Sequence, residues 1–297
     1  MATTQTDVPT LRVNLAEYGV TKALRDGRVR SDIVKLDYCG PTPAHNGFKA
    51  MVRENAFDAG ELAIVTFLQA KAYGKPYVLL PAPISGRFQH HCAGYNIDFG
   101  HLDPKDIEGK RVGVRTYTQT TALWIRGILR HEYGVDLDSV TWMTLGDGHL
   151  AEYRDPENCQ RLPAGSKIPQ MMLDGEISAA LLGEDMPKDP RVRTLVPDAQ
   201  NAAKDWFARE GVVPINHMLV VHADLSKSHP DIVRELYRMV VESRELAENV
   251  PAVFPPVGLE ANRKGIQLAI DWALDQKIIP HRLSVDELFD DVTGALA

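Results

Sequence analysis

Lys110-Arg111-Val112-Gly113-Val114-Arg115-Thr116-Tyr117-Thr118-Gln119-Thr120-Thr121 passes from an apolar stretch into a polar turn, and Ala122 to Tyr133 then continues as a helical pattern closed by Gly134. Strand, polar turn and helix in that order form the building block of a parallel sheet with helical crossovers. The order repeats downstream: Val140 to Leu145 reads as a strand, a polar excursion runs to Gly165, Lys167 to Asp174 reads as a helix before Gly175, and Ile177 to Leu182 as the next strand. In such sheets ligands lie beyond the carboxyl ends of the strands.

Upstream, Leu11 to Leu15 and Asp32 to Leu36 read as extended, broken by Cys39-Gly40-Pro41-Thr42-Pro43. Glu61 to Tyr73, stopped by Gly74, reads as a helix, which puts Glu61 on its first turn. Tyr77 to Pro81 is predicted to be a buried strand. Arg87 to Tyr95 reads as alternating, with Arg87, Gln89 and His91 on one face and His90 on the other. Gly211 to Val221 is too apolar for a surface loop and reads as a return crossing. Ser228-x-x-Asp231 is expected to cap an amphipathic helix reaching Glu248, and Ser284-x-x-Glu287 a short last one. A chain of 297 residues exceeds one compact core. Two lobes are expected: residues 1–96 as the first part of lobe I, 97–216 as lobe II, and 217–297 as the return to lobe I with C-terminal helices.

Composition narrows the function classes. Hydrophobic residues at 44% and charged residues at 25% describe an ordinary folded protein. A net charge of -7 with no long Lys/Arg cluster lacks the footprint of a nucleic-acid binder. No apolar run approaches the roughly 20 residues that cross a bilayer, so no membrane partner is expected. Met1 to Pro9 is polar and Thr-rich, without the basic start and apolar stretch of a secretory signal. Cys39, Cys92 and Cys159 are odd in number and widely spaced, unlike a disulfide framework. A cytoplasmic location is the expectation.

Thr116 to Thr121, preceded by Arg115, has the form of an anion cradle, because free N–H groups and the positive helix end favour a carboxylate. An ordinary N-cap cluster explains the same residues equally well. The cationic face of Arg87 and His91 suits an acidic ligand, or a solvated edge strand. His149, in Gly146-Asp147-Gly148-His149, and His217, after Asn216, are acid-base candidates if they meet other polar groups, and structural histidines otherwise. Glu61 is explained by the helix dipole alone. Adjacent His90 and His91 on a regular strand could not share one ion, and His131-Glu132 is not followed by a histidine four positions on, so no metal is expected and a divalent ion stays a minority alternative.

Several separated motifs agree in order: Ala56-Phe57-Asp58-Ala59-Gly60-Glu61-Leu62-Ala63, Gly74-Lys75-Pro76, Gly86-Arg87-Phe88-Gln89-His90, Gly113-Val114-Arg115-Thr116-Tyr117-Thr118-Gln119-Thr120, Ala151-Glu152-Tyr153 and Gly211-Val212-Val213-Pro214-Ile215-Asn216-His217. Together they resemble the 4,5-dihydroxyphthalate decarboxylase family, most densely between His45 and Val221. The resemblance implies an α/β, two-lobed, type II periplasmic-binding-protein-like fold with mostly parallel sheets and a cleft between the lobes. It implies non-oxidative loss of CO2 from 4,5-dihydroxyphthalate, or a closely related hydroxylated phthalate, giving protocatechuate, with no organic cofactor. The expected partner is a small aromatic dicarboxylate, and a homo-oligomer is expected. On this reading His217, His149 and Glu61 serve catalysis, while Arg87, His91, Arg115, Tyr117, Thr118, Gln119, Thr120 and Asn216 bind substrate. The rivals are a non-catalytic aromatic-acid receptor of the same fold and a regulator, although no helix-turn-helix precedes Leu11.

Overall fold

A computed structural model describes residues 8–297; Met1 to Asp7, most of the polar N-terminal stretch, lie outside the described residues. The chain forms two units. The first holds residues up to Gly86 with 215–267 and 283–297, and the second holds 87–214 with 268–282. These boundaries differ from the sequence-based ones of 96 and 216. Residues 87–96 join the second unit because their strand pairs there, and a short helical return, 268–282, does the same.

The first unit is built on β1 (Thr10–Asn14), β2 (Lys35–Asp37), β3 (Ala59–Ala63), β4 (Tyr77–Gly86) and the return strand β11 (Ile215–His222). Their order is β2-β1-β3-β11-β4. β2, β1 and β3 are parallel, and β11 enters antiparallel to both β3 and β4. Around them lie α1 (Lys22–Arg25), α2 (Phe48–Glu54), α3 (Ile64–Ala72), α7 (Ala223–Ser228), α8 (Pro230–Glu245) and the start of α9 (Leu259–Asp275). α8 presents Ile232, Val233, Leu236 and Val240 at helical spacing to the sheet residues Leu11, Val13, Leu80 and Leu219. Ser228 does not cap α8: it ends α7, its hydroxyl bonding the Asp224 carbonyl and His229, because Pro230 lacks the N–H that would continue the helix. At the C-terminus Ser284 and Glu287 bond reciprocally, Ser284 N–H donating to Glu287 Oε2 at 2.6 Å, but the element they precede is only a three-residue 3₁₀ turn, Asp286–Leu288, whose N-cap is Val285.

Glu61 is on β3 rather than on a helix. Ala59 to Leu62 is fully buried and pairs with β1 on one side and β11 on the other, and such a stretch has no solvent face for an amphipathic helix to show. α3 starts three residues after it, at Ile64.

The second unit holds β5 (Ala93–Asn96), β6 (Arg111–Val114), β7 (Thr141–Thr144), β8 (Cys159–Arg161), β9 (Ala179–Leu181) and β10 (Val192–Thr194), in the order β10-β5-β9-β6-β7-β8. β9, β6, β7 and β8 are parallel, and β5 is antiparallel to both β9 and β10. Both sheets are therefore mixed, because a strand that returns or crosses must run against its neighbours. α4 (Thr120–Tyr133), α5 (Ile168–Leu173) and α6 (Ala199–Glu210) cover this sheet. α4 ends as read, with Gly134 at φ 65° taking the left-handed cap. Gly113 lets α5 lie close, since a Cβ there would stand 2.5 Å from Ile168 and 2.6 Å from Ile177. Arg87 to Gln89 is irregular and His90–Cys92 is a 3₁₀ turn, so the alternating strand read from Arg87 begins only at Ala93.

His90 is 1% exposed, edge-on to Trp206 with ring centroids 5.9 Å apart, and its Nδ1 has no hydrogen-bond partner. Burial, and then the charges of His91 and Arg209, push its imidazole down to about 4. Between the ordinary pKa of 6.5 and that value the unfolded chain takes up a proton that the folded chain refuses, so stability falls as pH drops through this window. The expected loss between pH 7 and pH 5 is about 2 kcal/mol. Urea unfolding at both pH values checks this, and the His90→Asn variant should lose most of the difference.

Candidate functional site

In the first unit the carboxyl ends of β1 and β3 meet the entry of β11. Glu61, on β3, is fully buried, and His217, on β11, stands diagonally across the same face of the ladder. His217 Nδ1 lies 2.5 Å from Glu61 Oε2. The same oxygen accepts from the Tyr18 hydroxyl at 3.1 Å, and Oε1 accepts from the Ala16 N–H at 2.8 Å. With Tyr18 and Ala16 donating, the carboxylate is left to accept from His217 Nδ1–H, so Nε2 is the nitrogen with a lone pair to offer. Phe48 packs edge-on against the ring at 5.3 Å, fixing its plane. The imidazole is 19% exposed while the carboxylate is sealed. Burial first, then Glu61, raises the Tyr18 phenol well above its usual range, so it stays a neutral donor. The pairing of β11 with β4 slips between Ile215 and His217, which makes buried Asn216 the extra residue of a bulge, a device that re-aims side chains beside a site.

In the second unit the parallel strands β9, β6 and β7 bring the loops that follow them to one edge. The turn after β6 carries exposed Arg115 and then buried Thr118 and Thr120 at the amino end of α4. Thr120 Oγ1 and Gln119 Oε1 are buried without hydrogen-bond partners. The loop after β7 reaches this turn: a Cβ on Gly148 would be 2.7 Å from Thr118 Oγ1, and partly buried His149 follows it. The loop after β9 does too, for a Cβ on Gly183 would stand 3.1 Å from Arg87 Nη2 and 3.5 Å from Thr121 Cγ2. Arg87 Nη1 pairs with Glu184 Oε1 at 2.8 Å, while its Nε is buried without a partner. Partial burial and then the Arg87 charge hold the His91 imidazole below its ordinary range. His91 Nε2 is 3.7 Å from Cys92 Sγ, and burial raises that thiol to about 11.

Each unit thus assembles its own part of the expected set. The first brings Glu61, His217 and Asn216 to one sheet edge, and the second brings Arg87, Thr118, Thr120 and His149 to another. Tyr117 departs from its expected role: its ring is turned into the core, its hydroxyl donating to the Gln276 carbonyl at 3.1 Å. Tyr18 and Glu184 escaped the sequence reading, since a lone tyrosine in a coil and an acid after a strand carry no pattern. Among the described residues no group of three or more His, Cys, Asp or Glu is placed to hold a metal ion.

No protein-family model matches the chain. A protein named 4,5-dihydroxyphthalate decarboxylase from Comamonas testosteroni is 29% identical over 256 residues, covering 80% of this chain and 75% of that protein. One of the same name from Pseudomonas putida is 29% identical over 210 residues, covering 66% and 81%. Among solved structures, the alkanesulfonate-binding protein SsuA from Xanthomonas axonopodis pv. citri, bound to MOPS, superposes with a TM-score of 0.58 at 13% identity over 95% of this chain and 98% of its own. The periplasmic aliphatic sulphonate-binding protein SsuA from Escherichia coli gives 0.58 at 12% identity over 95% and 92%. In sequence the chain is similar to 4,5-dihydroxyphthalate decarboxylases, and in fold it is a two-unit α/β protein of the periplasmic-binding-protein type.

Proposed function

We propose that this protein is a carboxy-lyase that removes CO2 from 4,5-dihydroxyphthalate to leave protocatechuate, or from a closely related hydroxylated phthalate to leave the corresponding hydroxybenzoate. The likeness to the two decarboxylases supports the substrate class, and the buried Glu61–His217 pair carries the case for catalysis. A receptor needs cations to hold a ring dicarboxylate, but it has no use for an imidazole whose tautomer is fixed by a sealed carboxylate. The chemistry asks for that imidazole. Each ring carboxylate has a hydroxyl para to it, so taking a phenolic proton pushes electron density onto the carbon that bears the carboxylate. That carbon accepts a proton, its bond to the carboxylate breaks, and CO2 leaves; one proton is consumed overall as a dianion becomes a monoanion.

In this proposal His217 Nε2 moves the proton, Glu61 and Tyr18 hold its ring, and Arg115, Thr118 and Thr120 take the carboxylate that stays. Arg87 exchanges Glu184 for the ligand's charge. His149, beside Thr118, is a second proton carrier.

CO2 release from 4,5-dihydroxyphthalate, 4-hydroxyphthalate and unsubstituted phthalate tests the reading. The two phenols are expected to be consumed. Phthalate, with no phenolic proton to give up, is expected to bind and come back unchanged. Arg115→Ala is expected to raise KM by about tenfold, the worth of one charge-assisted contact, with a smaller change in kcat. If all three acids bind and none loses CO2, the protein is a receptor.

A further inference from the structure

The guanidinium of Arg126 is fully buried in the second unit. Its Nε donates to Gln276 Oε1 at 2.8 Å and its Nη2 to the Tyr117 carbonyl at 2.6 Å. Its carbon lies 3.8 Å from the centre of the Tyr117 ring and 5.2 Å from that of Trp142. Nη1 has no partner at all, and burial lowers the pKa of the group. The groups it bonds to or stacks on are neutral: an amide, a peptide carbonyl and two ring faces. Asp155 acts on it only through space, and that carboxylate is drawn toward Arg161, 3.8 Å away.

An unpaired cation in a dry interior is strongly disfavoured. Its place in α4 makes matters worse. By reaching back to the Tyr117 carbonyl, the guanidinium sits at the amino end of the helix, where the dipole repels a positive charge. Helices carry their stabilising cations at the other end. Two opposing effects are tolerated at the very turn where the Thr120 hydroxyl, on a residue 5% exposed, also lacks a partner. Both defects are repaired by the same thing, a negative charge arriving at the turn.

We propose that Arg126 is a positioning residue whose buried charge is completed by a ligand carboxylate bound at the Thr118–Thr120 turn. The proposal rests on reading that turn as the carboxylate site. The ligand is then the missing counter-ion, and the ligand-free protein is held in an electrostatically unbalanced state that binding relieves. Arg126 also fixes the turn's backbone through Tyr117, so its charge and its geometry act together.

Gln276→Glu separates the two, because it supplies a carboxylate where Oε1 already accepts from Arg126, keeping that bond and cancelling the charge, while giving up only the bond that Nε2 donates to the Leu123 carbonyl at 3.0 Å. Unsubstituted phthalate is the probe, followed by calorimetric titration and thermal unfolding of the wild type, Gln276→Glu and Arg126→Met. Gln276→Glu is expected to bind phthalate about tenfold more weakly, as loss of one charge-assisted contribution implies, with thermal unfolding confirming that the variant is folded although its Leu123 contact is lost. KM for 4,5-dihydroxyphthalate should rise by a similar factor while kcat stays nearly constant. Arg126→Met, where it folds, should show the same weakening. A Gln276→Glu protein that binds phthalate as tightly as the wild type overturns the role of Arg126 alone. A wild type that does not bind phthalate overturns the carboxylate reading of the turn, and this proposal with it.

Discussion

Alanine at His217 is expected to slow CO2 release from 4,5-dihydroxyphthalate by roughly 100- to 10,000-fold, the usual contribution of one positioned acid-base group. The fall should appear in kcat, with little change in KM, because the imidazole is assigned to moving a proton rather than to holding charge. Glu61→Gln should come close to it. The amide keeps the shape but puts an N–H2 where the carboxylate now accepts, facing either the Ala16 N–H, 2.8 Å away, or His217 Nδ1, 2.5 Å away. With the N–H2 toward His217 the proton is driven to Nε2, which ceases to be a base; with it toward Ala16 the amide oxygen still accepts from Nδ1–H, but the carboxylate charge that stabilises the imidazolium is gone. Tyr18→Phe removes only one donor to that carboxylate and should cost about tenfold or less, as a single neutral hydrogen bond does. Single-turnover assays with the three variants, alongside their unfolding midpoints, check the order. A His217→Ala enzyme within tenfold of the wild type would remove the pair from the mechanism.

How far such a site can be read from the chain depends on how local its causes are. The turn Arg115 to Thr121 was legible because an apolar strand, a hydroxyl cluster and a helix closed by Gly134 follow each other without a gap, and β6 and α4 appear where the pattern places them. Glu61 was assigned to the wrong element for the opposite reason. Glu61-Leu62-Ala63 contains good helix formers and no breaker before α3, and what makes Ala59 to Ala63 a strand is pairing with β1 and β11, 46 and more than 150 residues away. Three-residue strands such as β8 and β10 are too short to show any period. Arg126 left a trace that could have been weighed: a single charge in the otherwise apolar run Ala122-Leu123-Trp124-Ile125-Arg126-Gly127-Ile128-Leu129. Nothing in a linear pattern, however, tells a buried cation from a surface one. The His217–Glu61 contact lies furthest from sequence, since it joins residues 156 apart through a ladder that only the return strand creates.

Gly60→Ala is expected to destabilise the protein by about 3 kcal/mol or more, at or beyond the upper end of what overpacking a core usually costs. Gly60 is wedged between two strands, paired with Asn14 of β1 and with Val220 of β11. A Cβ there would lie 2.3 Å from the Asn14 carbonyl oxygen and 3.0 Å from its backbone nitrogen and carbon. These are ladder atoms, not the end of a side chain that could swing aside, so the methyl fits only if β1 and β3 part. Parting them also moves Glu61, the next residue, away from the Ala16 N–H and from His217, so activity should fall in whatever fraction remains folded. Gly74→Ala supplies the comparison: its φ of 70° strains alanine, yet nothing lies within 4 Å of the added carbon, and a loss of only about 1 kcal/mol is expected. Urea unfolding of the two variants measures the difference, and activity per folded molecule follows the displacement of the pair. If Gly60→Ala unfolds at the wild-type midpoint, the two strands are not held as tightly as the position of Glu61 requires, and the precise placement of the proton carrier must come from somewhere other than this ladder.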